Sequence, residues 1–381
     1  MKLRSYLRTA GVGVAGLLAG CSAEPVDTDS PTDSGSESTD VTGTTTGGTT
    51  ETSTLLVGTY SSFIDAPSTS PGAWVKERFE AEHDATLEWF APDGGMEYFL
   101  QRRNQGVTVD TDLYAGLTPE NMVRVDDNLE SGDSLFKPVD TGALSNYDNV
   151  VEEYLFDPQE RAIPMGASYI SLVYNQNLLD KRGVDGPKTF EDLTNDAYRD
   201  GLLIPNPQNS ETGLEFLFWT INEYGEDGYL DYWQRLLDNG ARILESWGAA
   251  YGAYSEGEAP AVVSYATDQV FADMSGADMA EHQIGFLNGE GYAYLEAMAR
   301  FSDTDRPKLA ETFMSFMLEP EIQAEVAQRN VALPAVDNAE LSQTFDELTP
   351  EPETAVSFSY DQISGNVDTW LEEWSRQVAG Q

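Results

Sequence analysis

Short apolar runs alternate with amphipathic stretches along residues 55–381 of the chain. A short apolar run between polar residues is typical of a buried strand, whereas an apolar stripe that recurs every three or four residues is typical of a helix. The pattern predicts strands over 55–60, 85–91, 112–117, 169–174 and 259–265. It predicts helices over 71–81, with Ser70 as N-cap, and over 96–104 and 214–224.

A further apolar stripe, interrupted at Pro320, follows near the C-terminus. Its members are Leu309, Phe313, Phe316, Met317, Ile322 and Val326. Strands that alternate with helices are typical of α/β proteins, so the order of elements predicts an α/β fold with largely parallel sheets. Residues 55–381 are long enough for two domains of about 100–200 residues each.

The charge balance excludes several classes of partner. The chain has 21 Lys and Arg residues against 66 Asp and Glu residues, a formal net charge of −45. A surface this negative repels phosphate backbones and acidic lipid headgroups, which argues against nucleic-acid binding and against docking to a membrane through basic residues. With 40% hydrophobic and 11% aromatic residues, the chain has enough apolar surface for a packed core.

The same surplus of carboxylates favours a protein built for strong salt. The screening length between charges falls to about 3 Å in 1 M salt. Repulsion among the carboxylates is therefore tolerable at that salt concentration. Lysines are also scarce, at positions 2, 76, 137, 181, 188 and 308. The alternative is an acidic protein from moderate salt.

The first 20 residues are interpreted as a signal peptide. Three basic residues precede an uncharged run over 9–20, which is too short to span a membrane. The run ends in Leu18, Ala19, Gly20 and Cys21, which resembles the lipobox of secreted lipoproteins, so Cys21 is the predicted lipidation site. The alternative is a free Cys in an ordinary signal peptide. Residues 3–8 resemble a twin-arginine signal with Leu3 in place of the first Arg, which leaves the export route open.

Residues 21–54 are predicted to form a disordered stalk. Over 22–54 there are 17 Ser or Thr residues and seven acids, without a single Lys, Arg or aromatic residue. Such a segment buries too little apolar surface to offset the entropy lost on ordering. The stalk would hold the folded part away from the membrane surface, with or without O-glycosylation.

No recognisable catalytic or metal-binding motif is present in the sequence. It lacks a nucleotide-binding glycine loop, a CxxC pair and an HExxH pair. His83 and His282 lie beside acidic residues and are interpreted as solvated surface residues. We therefore predict a binding protein for a small solute, without cofactor or metal, rather than an enzyme.

Four stretches resemble one known family in collinear order. They are 59–63 (TYSSF), 204–219 (IPNPQNSETGLEFLFW), the segment 247–265, in which Trp247, Gly252, Glu258 and Tyr265 have the family spacing, and 370–378 (WLEEWSRQV). Together they resemble the solute-binding subunit of thiamine ABC transporters. The resemblance implies a two-lobed type II periplasmic-binding-protein fold, with a ligand cleft between the lobes.

The resemblance also implies the domain organisation and the site. Lobe 1 is expected over 55–165 and 286–381, the latter with the C-terminal helices, and lobe 2 over 166–285, with hinges near 163–168 and 283–291. The implied ligand-binding residues are Tyr60, Asp93, Gly94, Ser210, Glu211, Trp247, Tyr265, Ala266, Thr267 and Asp268.

A cationic heteroaromatic ligand needs ring faces and carboxylates, and each cation–π contact contributes about 0.5–2 kcal/mol. Candidate ring faces are Tyr60, Trp247 and Tyr265, and candidate charges are Asp93, Glu211 and Asp268. Aromatic residues at strand ends are more often core residues, which is the interpretation given to Trp219 and Trp233.

Three positions depart from the family pattern. Glu211 replaces a hydroxyl residue, Phe271 replaces a pocket Tyr, and Val331 stands where the family has a stacking Trp. A carboxylate at a helix start repels phosphate. We therefore predict a preference for thiamine, or a related cation, over its phosphates.

The implied partners are an ABC permease with its ATPase, and the implied location is the outer face of the cell membrane, with a monomer held there by the lipid. Alternative ligands are polyamines and ferric iron, although iron capture usually uses neighbouring Tyr residues and the sequence has no Tyr-Tyr pair. An exported enzyme acting on thiamine-like compounds is a further alternative, although the single Cys is assigned to the anchor. The last alternative is an adhesion lipoprotein.

Overall fold

The computed structural model describes residues 53–66, 69–130 and 134–379. The predicted signal peptide, Cys21 and nearly all of the predicted stalk lie outside these residues. The first strand begins at Ser53, one residue before the predicted end of the stalk. Within the described residues, no helix is both long enough and apolar enough to cross a membrane.

The described residues form eleven strands and fourteen α-helices. The strands are β1 Ser53–Gly58, β2 Ala85–Phe90, β3 Leu113–Leu117, β4 Ala162–Tyr174, β5 Leu202–Pro205, β6 Arg242–Leu244, β7 Ala261–Tyr265, β8 Gln283–Gly285, β9 Glu290–Arg300, β10 Leu333–Pro334 and β11 Thr354–Val356. The helices are α1 Ser61–Ile64, α2 Gly72–Glu82, α3 Met96–Asn104, α4 Pro119–Asn128, α5 Gln176–Arg182, α6 Glu211–Tyr224, α7 Tyr229–Asp238, α8 Trp247–Ser255, α9 Asp268–Ser275, α10 Pro307–Met317, α11 Pro320–Asn330, α12 Gln343–Leu348, α13 Tyr360–Ile363 and α14 Val367–Ala379.

Every predicted strand and helix is present, with differences at the ends. Strand β4 begins at Ala162 rather than at 169. Its first part contains Pro164 and Gly166, which are poor strand formers, and the pairing with β9 shifts register between these two residues. Ser70 does not cap α2, which has Pro71 as its N-cap residue, because the Ser70 hydroxyl donates to the carbonyl of Ile64.

The prediction of largely parallel sheets was wrong. Within the described residues one mixed sheet has the order β2-β1-β3-β9-β4-β7-β5-β6. Strands β1, β2 and β3 are parallel to one another, and so are β5, β6 and β7. Between these two groups lie β9 and β4, and each pairing from β3 through β9 and β4 to β7 is antiparallel. Apolar runs do not reveal strand direction, so the sequence pattern missed these pairings.

The register of these strands makes the two groups point toward one another. Strand β3 runs along β9 from Arg300 to Ala297, so its carboxyl end lies toward the middle of β9. Strand β7 runs along β4 from Tyr174 to Ile170, so its carboxyl end lies toward the middle of β4. The carboxyl ends of both parallel groups therefore converge on the central part of the β4–β9 pair.

Two large clusters of buried apolar side chains support this arrangement. One contains Trp219, Trp233 and Trp374, and the other contains Phe79 and Phe313. Trp219 and Trp233 are fully buried, as the core interpretation requires. In helix α14, Trp374 packs edge-on against Trp233 of α7, with 5.3 Å between ring centroids. The lobe boundaries stay a prediction, and this contact places α14 against elements of the 166–285 segment.

The burial of Trp219 gives a direct test of the core. Its ring lies edge-on to Phe190, at 5.0 Å between centroids, and to Phe216, at 6.3 Å. We expect Trp219→Ala to lower the free energy of unfolding by about 3–5 kcal/mol, because it removes a large buried side chain and leaves a cavity. Trp247→Ala is the matched control. Because Trp247 is 38% exposed, this substitution should lower the free energy of unfolding far less. Thermal unfolding in molar salt measures both, and equal losses would contradict the assignment.

Candidate functional site

A cavity of about 1550 Å³ lies where the carboxyl ends of the two parallel strand groups converge. Open α/β sheets commonly bind ligands outside the carboxyl ends of their strands. Ser168 of β4 and Tyr294 and Glu296 of β9 line the cavity from the middle of the sheet. Tyr294 is the pairing partner of Ser168, and Glu296 that of Gly166, so the β4–β9 register fixes their positions.

Eight of the ten predicted ligand-binding residues line this cavity. Those from the β1–β3 side are Tyr60 and Gly94, and those from the β5–β7 side are Ser210, Glu211, Trp247, Tyr265, Thr267 and Asp268. The remaining two residues lie elsewhere. Asp93 is exposed beside Gly94, and Ala266 is buried, with its backbone N–H donating to the carbonyl of Tyr169. The ligand contacts of all ten residues stay a prediction.

Aromatic rings form one wall of the cavity. The Trp247 ring lies 5.1 Å from the Tyr251 ring at 31° and 6.0 Å from the Tyr265 ring. Tyr265 lies edge-on to Tyr294 at 5.2 Å. The Trp247 indole N–H donates to the Ser264 hydroxyl at 3.0 Å, which fixes the ring although it is partly exposed. Partly exposed rings held in this way offer flat faces to a ligand ring or cation.

Asp268 is buried, and both of its carboxylate oxygens are already hydrogen-bonded. The Tyr251 hydroxyl donates to Oδ1 at 2.5 Å, and His282 Nδ1 lies 2.7 Å from Oδ2. These contacts orient the Tyr251 ring beside Trp247, so Asp268 supports the aromatic wall as well as lining the cavity. The interpretation of His282 as a solvated residue was wrong, because only 12% of its side chain is exposed. His83 likewise packs on Phe79, with 4.6 Å between ring centroids.

A second group of polar side chains surrounds Glu296. The Tyr60 hydroxyl lies 3.4 Å from Glu296 Oε2, and the Tyr294 hydroxyl lies 3.3 Å from Glu296 Oε1. The Asn330 amide donates to the Tyr60 hydroxyl at 2.8 Å. Desolvation, together with the negative charge of Glu211, raises the pKa of Glu296 to about 7. Desolvation and the charge of Glu296 raise the pKa of Tyr60 and of Tyr294 well above 10, so both hydroxyls keep their protons.

Glu211 begins helix α6 and lies opposite Asn121 near the start of α4. The Asn121 amide donates to Glu211 Oε1 at 2.9 Å, and the Tyr294 hydroxyl lies 3.4 Å from Oε2. The side chain is exposed to the cavity, but the cavity walls restrict its access to bulk water. This desolvation raises the pKa of Glu211, the Asn121 hydrogen bond lowers it, and repulsion by Glu120 raises it further.

Two residues at departures from the family pattern also line the cavity, namely Phe271 and Val331. Val331 follows the last residue of α11 with φ 54° and ψ 49°, in the left-handed region that β-branched residues rarely adopt. The side chain is much smaller than an indole, so this part of the wall has no ring at position 331.

Several cavity residues were not predicted as site residues from the sequence. They include Glu120, Asn121, Tyr251, Asn330 and Glu296. For Glu296 a signal was present, because it is the single charged residue in the run 291–299 (GYAYLEAMA). A lone acid inside an apolar strand is costly to bury without a function or a partner. Glu120 and Asn330 carry no comparable signal, since each lies in a polar stretch.

Within the part of the chain that the structure describes, no group of three or more His, Cys, Asp or Glu side chains has the arrangement needed to hold a metal ion. The cavity lining offers rings, hydroxyls, amides and carboxylates, together with the guanidinium groups of Arg124 and Arg329. Such a set can bind an organic cation.

Comparison with known proteins agrees with this geometry. Residues 95–364 match the family model of bacterial extracellular solute-binding proteins. The chain belongs to this family. It is 28% identical over 328 residues to the thiamine-binding periplasmic protein of Escherichia coli K12, which covers 85% of this chain and 93% of that protein. For the Salmonella typhimurium protein of the same name, the identity is 27% over 325 residues, with coverage of 85% and 93%.

A solved structure of a periplasmic thiamin binding protein superposes with a TM-score of 0.74 and 25% identity, covering 87% of this chain and 98% of that one. The predicted two-lobed type II periplasmic-binding-protein fold is thereby confirmed. This solute-binding protein differs from the sequence-based expectation in having a mixed sheet. Its cavity also contains more buried carboxyl groups than the resemblance implied.

The raised pKa of Glu296 predicts a pH-dependent stability of the ligand-free protein. An acid whose pKa is higher in the folded than in the unfolded state stabilises fully below the unfolded value, near 4.5, and this contribution is lost as pH rises through about 7. We expect Glu296→Gln to gain stability over the parent as pH rises from about 4.5 to about 7, with a gain of about 2–3 kcal/mol that is complete by pH 8.

Thermal unfolding of both proteins between pH 5 and pH 8 in molar salt measures this difference. Glu88→Gln is the control, because Glu88 is exposed on β2 and does not line the cavity. If the parent and Glu296→Gln respond identically to pH, Glu296 does not titrate in this range.

Proposed function

We propose that this protein captures thiamine, or a related cationic heteroaromatic, outside the cell and delivers it to an ABC permease driven by a cytoplasmic ATPase. The observation that carries the proposal is the pairing of ring faces with carboxyl groups in one cavity. Trp247, Tyr251 and Tyr265 provide the rings, and Glu211 and Glu296 provide negative charge. The relatives that are named for thiamine binding support the same ligand.

The ten residues carried over from the resemblance form the proposed contact set, with two of them in indirect roles. Asp93 lies outside the cavity lining next to Gly94, and Ala266 contributes through the backbone between Tyr265 and Thr267. Asp268 orients Tyr251 through a short hydrogen bond. The protein acts as a monomeric carrier rather than as an enzyme, and closure of the two lobes encloses the ligand.

A melting-temperature screen in molar salt tests this function. At a concentration of 100 times its Kd, a ligand stabilises the folded protein by about 2.7 kcal/mol, which gives a clear shift. We expect a shift with thiamine, loss of the shift in Trp247→Ala and Tyr265→Ala, and retention in Trp247→Phe, which keeps a ring. The absence of a thiamine shift in the folded parent would contradict the proposal.

Polyamines are the second candidate ligands, because the carboxyl groups of the cavity also suit chains of ammonium groups. Spermidine therefore belongs in the same screen. Since a polyamine has no ring to stack, its binding should survive Trp247→Ala. A larger shift with spermidine than with thiamine would favour this alternative.

The carboxylate of Glu211 predicts discrimination against phosphorylated ligands. It lies at the first turn of α6, where the free N–H groups of a helix would otherwise attract a phosphate. We expect thiamine pyrophosphate to bind at least about tenfold more weakly than thiamine, a difference of about 1.4 kcal/mol.

Calorimetric titration of both ligands measures this preference. Glu211→Thr, which restores a hydroxyl residue, should narrow the difference between the two ligands, because it removes both the repulsion of the phosphate and one attraction for the thiamine cation. Equal or tighter binding of the pyrophosphate by the parent would contradict the prediction.

For localisation, we propose export followed by attachment to the outer face of the membrane through lipid on Cys21. In the producing cell, Cys21→Ala should release the protein into the medium, because the anchor is then lost. Fractionation of cells and medium measures the release. A variant that stays with the membrane would contradict lipid anchoring.

A further inference from the structure

Four glutamates from three different elements meet at the base of the cavity. Glu120 lies on α4, Glu211 and Glu215 lie on α6, and Glu296 lies on β9. We call them the cleft carboxyl cluster. Glu120, Glu215 and Glu296 are at least 96% buried, while Glu211 faces the open cavity. Glu211 and Glu215 are one helical turn apart, on the same face of α6.

The cluster is short of hydrogen-bond donors. Oε1 of Glu120 and Oε2 of Glu215 are buried, and neither meets a donor among the described residues. The two side chains interact directly, so a proton between them is needed to avoid the repulsion of two buried carboxylates. The single hydroxyl hydrogen of Tyr294 lies within reach of both Glu211 and Glu296 and can serve only one of them at a time.

The cluster is also short of positive charge. Two basic side chains line the cavity, and each pairs with an acid outside the cluster. Arg124 lies 3.5 Å from Asp368, and Arg329 lies 2.9 Å from Glu325. Among the described residues, no basic side chain makes a hydrogen bond to a member of the cluster. In the ligand-free protein, protons must therefore supply the balance.

We propose that the cleft carboxyl cluster is a subsite for the positively charged or N–H-donating nitrogen groups of the ligand, and that binding such a cation displaces a proton from the cluster. This inference rests on the proposed function. It adds that the positive charge of the ligand replaces that of a proton on the cluster. Glu296 is the exchanging member, because it lines the cavity from the middle of β9 and no basic side chain among the described residues bonds to it. Glu120 also lines the cavity, but its pair with Glu215 retains the shared proton.

The titration of the cluster depends on its neighbours. Burial raises the pKa of Glu120 and of Glu211 and raises that of Glu215 well above 4.5, while Glu296 titrates near 7. A cation in contact with Glu296 lowers this pKa and expels the proton. The charged and titratable groups that face the cluster are Tyr60 before α1, Tyr114 on β3, Arg124 on α4, Tyr265 on β7, and Tyr292 and Tyr294 on β9.

Calorimetric titration with thiamine in two buffers of different ionisation enthalpy counts the protons released. At pH 7 in molar salt we expect about half a proton per ligand, because a group that titrates near 7 is half protonated there. The release should fall toward zero at pH 9. Below pH 6 the Kd for thiamine should increase about tenfold for each unit by which the pH falls.

Variants separate the cluster from the general negative charge of the protein. In Glu296→Gln, the proton release at pH 7 should disappear and the Kd should lose its pH dependence. Glu88→Gln removes one exposed charge far from the cluster and should behave like the parent. Because the cluster is shielded from salt, the release should be the same in 1 M and 3 M salt.

The outcomes distinguish the proton exchange from the proposed function. Thiamine binding without proton release at any pH overturns the exchange and leaves the proposed function intact. Proton release that persists in Glu296→Gln also overturns it. If thiamine does not bind, the titration is repeated with spermidine as the cation. Proton release with spermidine then supports the exchange while refuting the thiamine function, and no binding of either cation overturns both.

Discussion

The antiparallel pairing of β4 with β9 is the constraint on which the candidate site depends. Each of these long strands carries a parallel group at one end, so the carboxyl ends of β3 and β7 approach a common centre. Glu296 and Tyr294 belong to that centre and are fixed by backbone hydrogen bonds rather than by loops. Groups held on strands are positioned more precisely than groups on loops. The same pair provides the longest strands among those described, with 13 residues in β4 and 11 in β9.

The placement of Glu296 has an energetic cost that binding can relieve. A carboxyl group in a cavity with few donors and no basic partner destabilises the ligand-free fold once it ionises. A cationic ligand supplies the missing charge, so part of the lost stability reappears as affinity. Sites of this kind exchange stability for function. By contrast, the many exposed carboxylates of this protein keep their hydration and carry no such cost.

The sequence predicted the elements well and the site in part, for physical reasons that differ by residue. The apolar runs identified β1, β2, β3 and β7 because burial requires such residues wherever the strand lies. The aromatic residues Trp247 and Tyr265 were found through resemblance, since their spacing within 247–265 is distinctive. Strand direction, the early start of β4 and the role of Glu296 depend on contacts between segments far apart in the chain. His282 and Asp268 likewise meet only after folding, so their pairing left no local pattern.

A crystal structure of the protein with thiamine, grown in molar salt, tests the central claim most directly. We expect the ligand between the two strand groups, with a ring against Trp247 or Tyr265 and a nitrogen group within hydrogen-bond distance of Glu211 or Glu296. In this arrangement, the β4–β9 pair brings the two strand groups together, so that rings and carboxylates from both reach one ligand. Thiamine bound outside this cavity, or in the cavity with its nitrogen groups turned away from both carboxylates, would contradict the account.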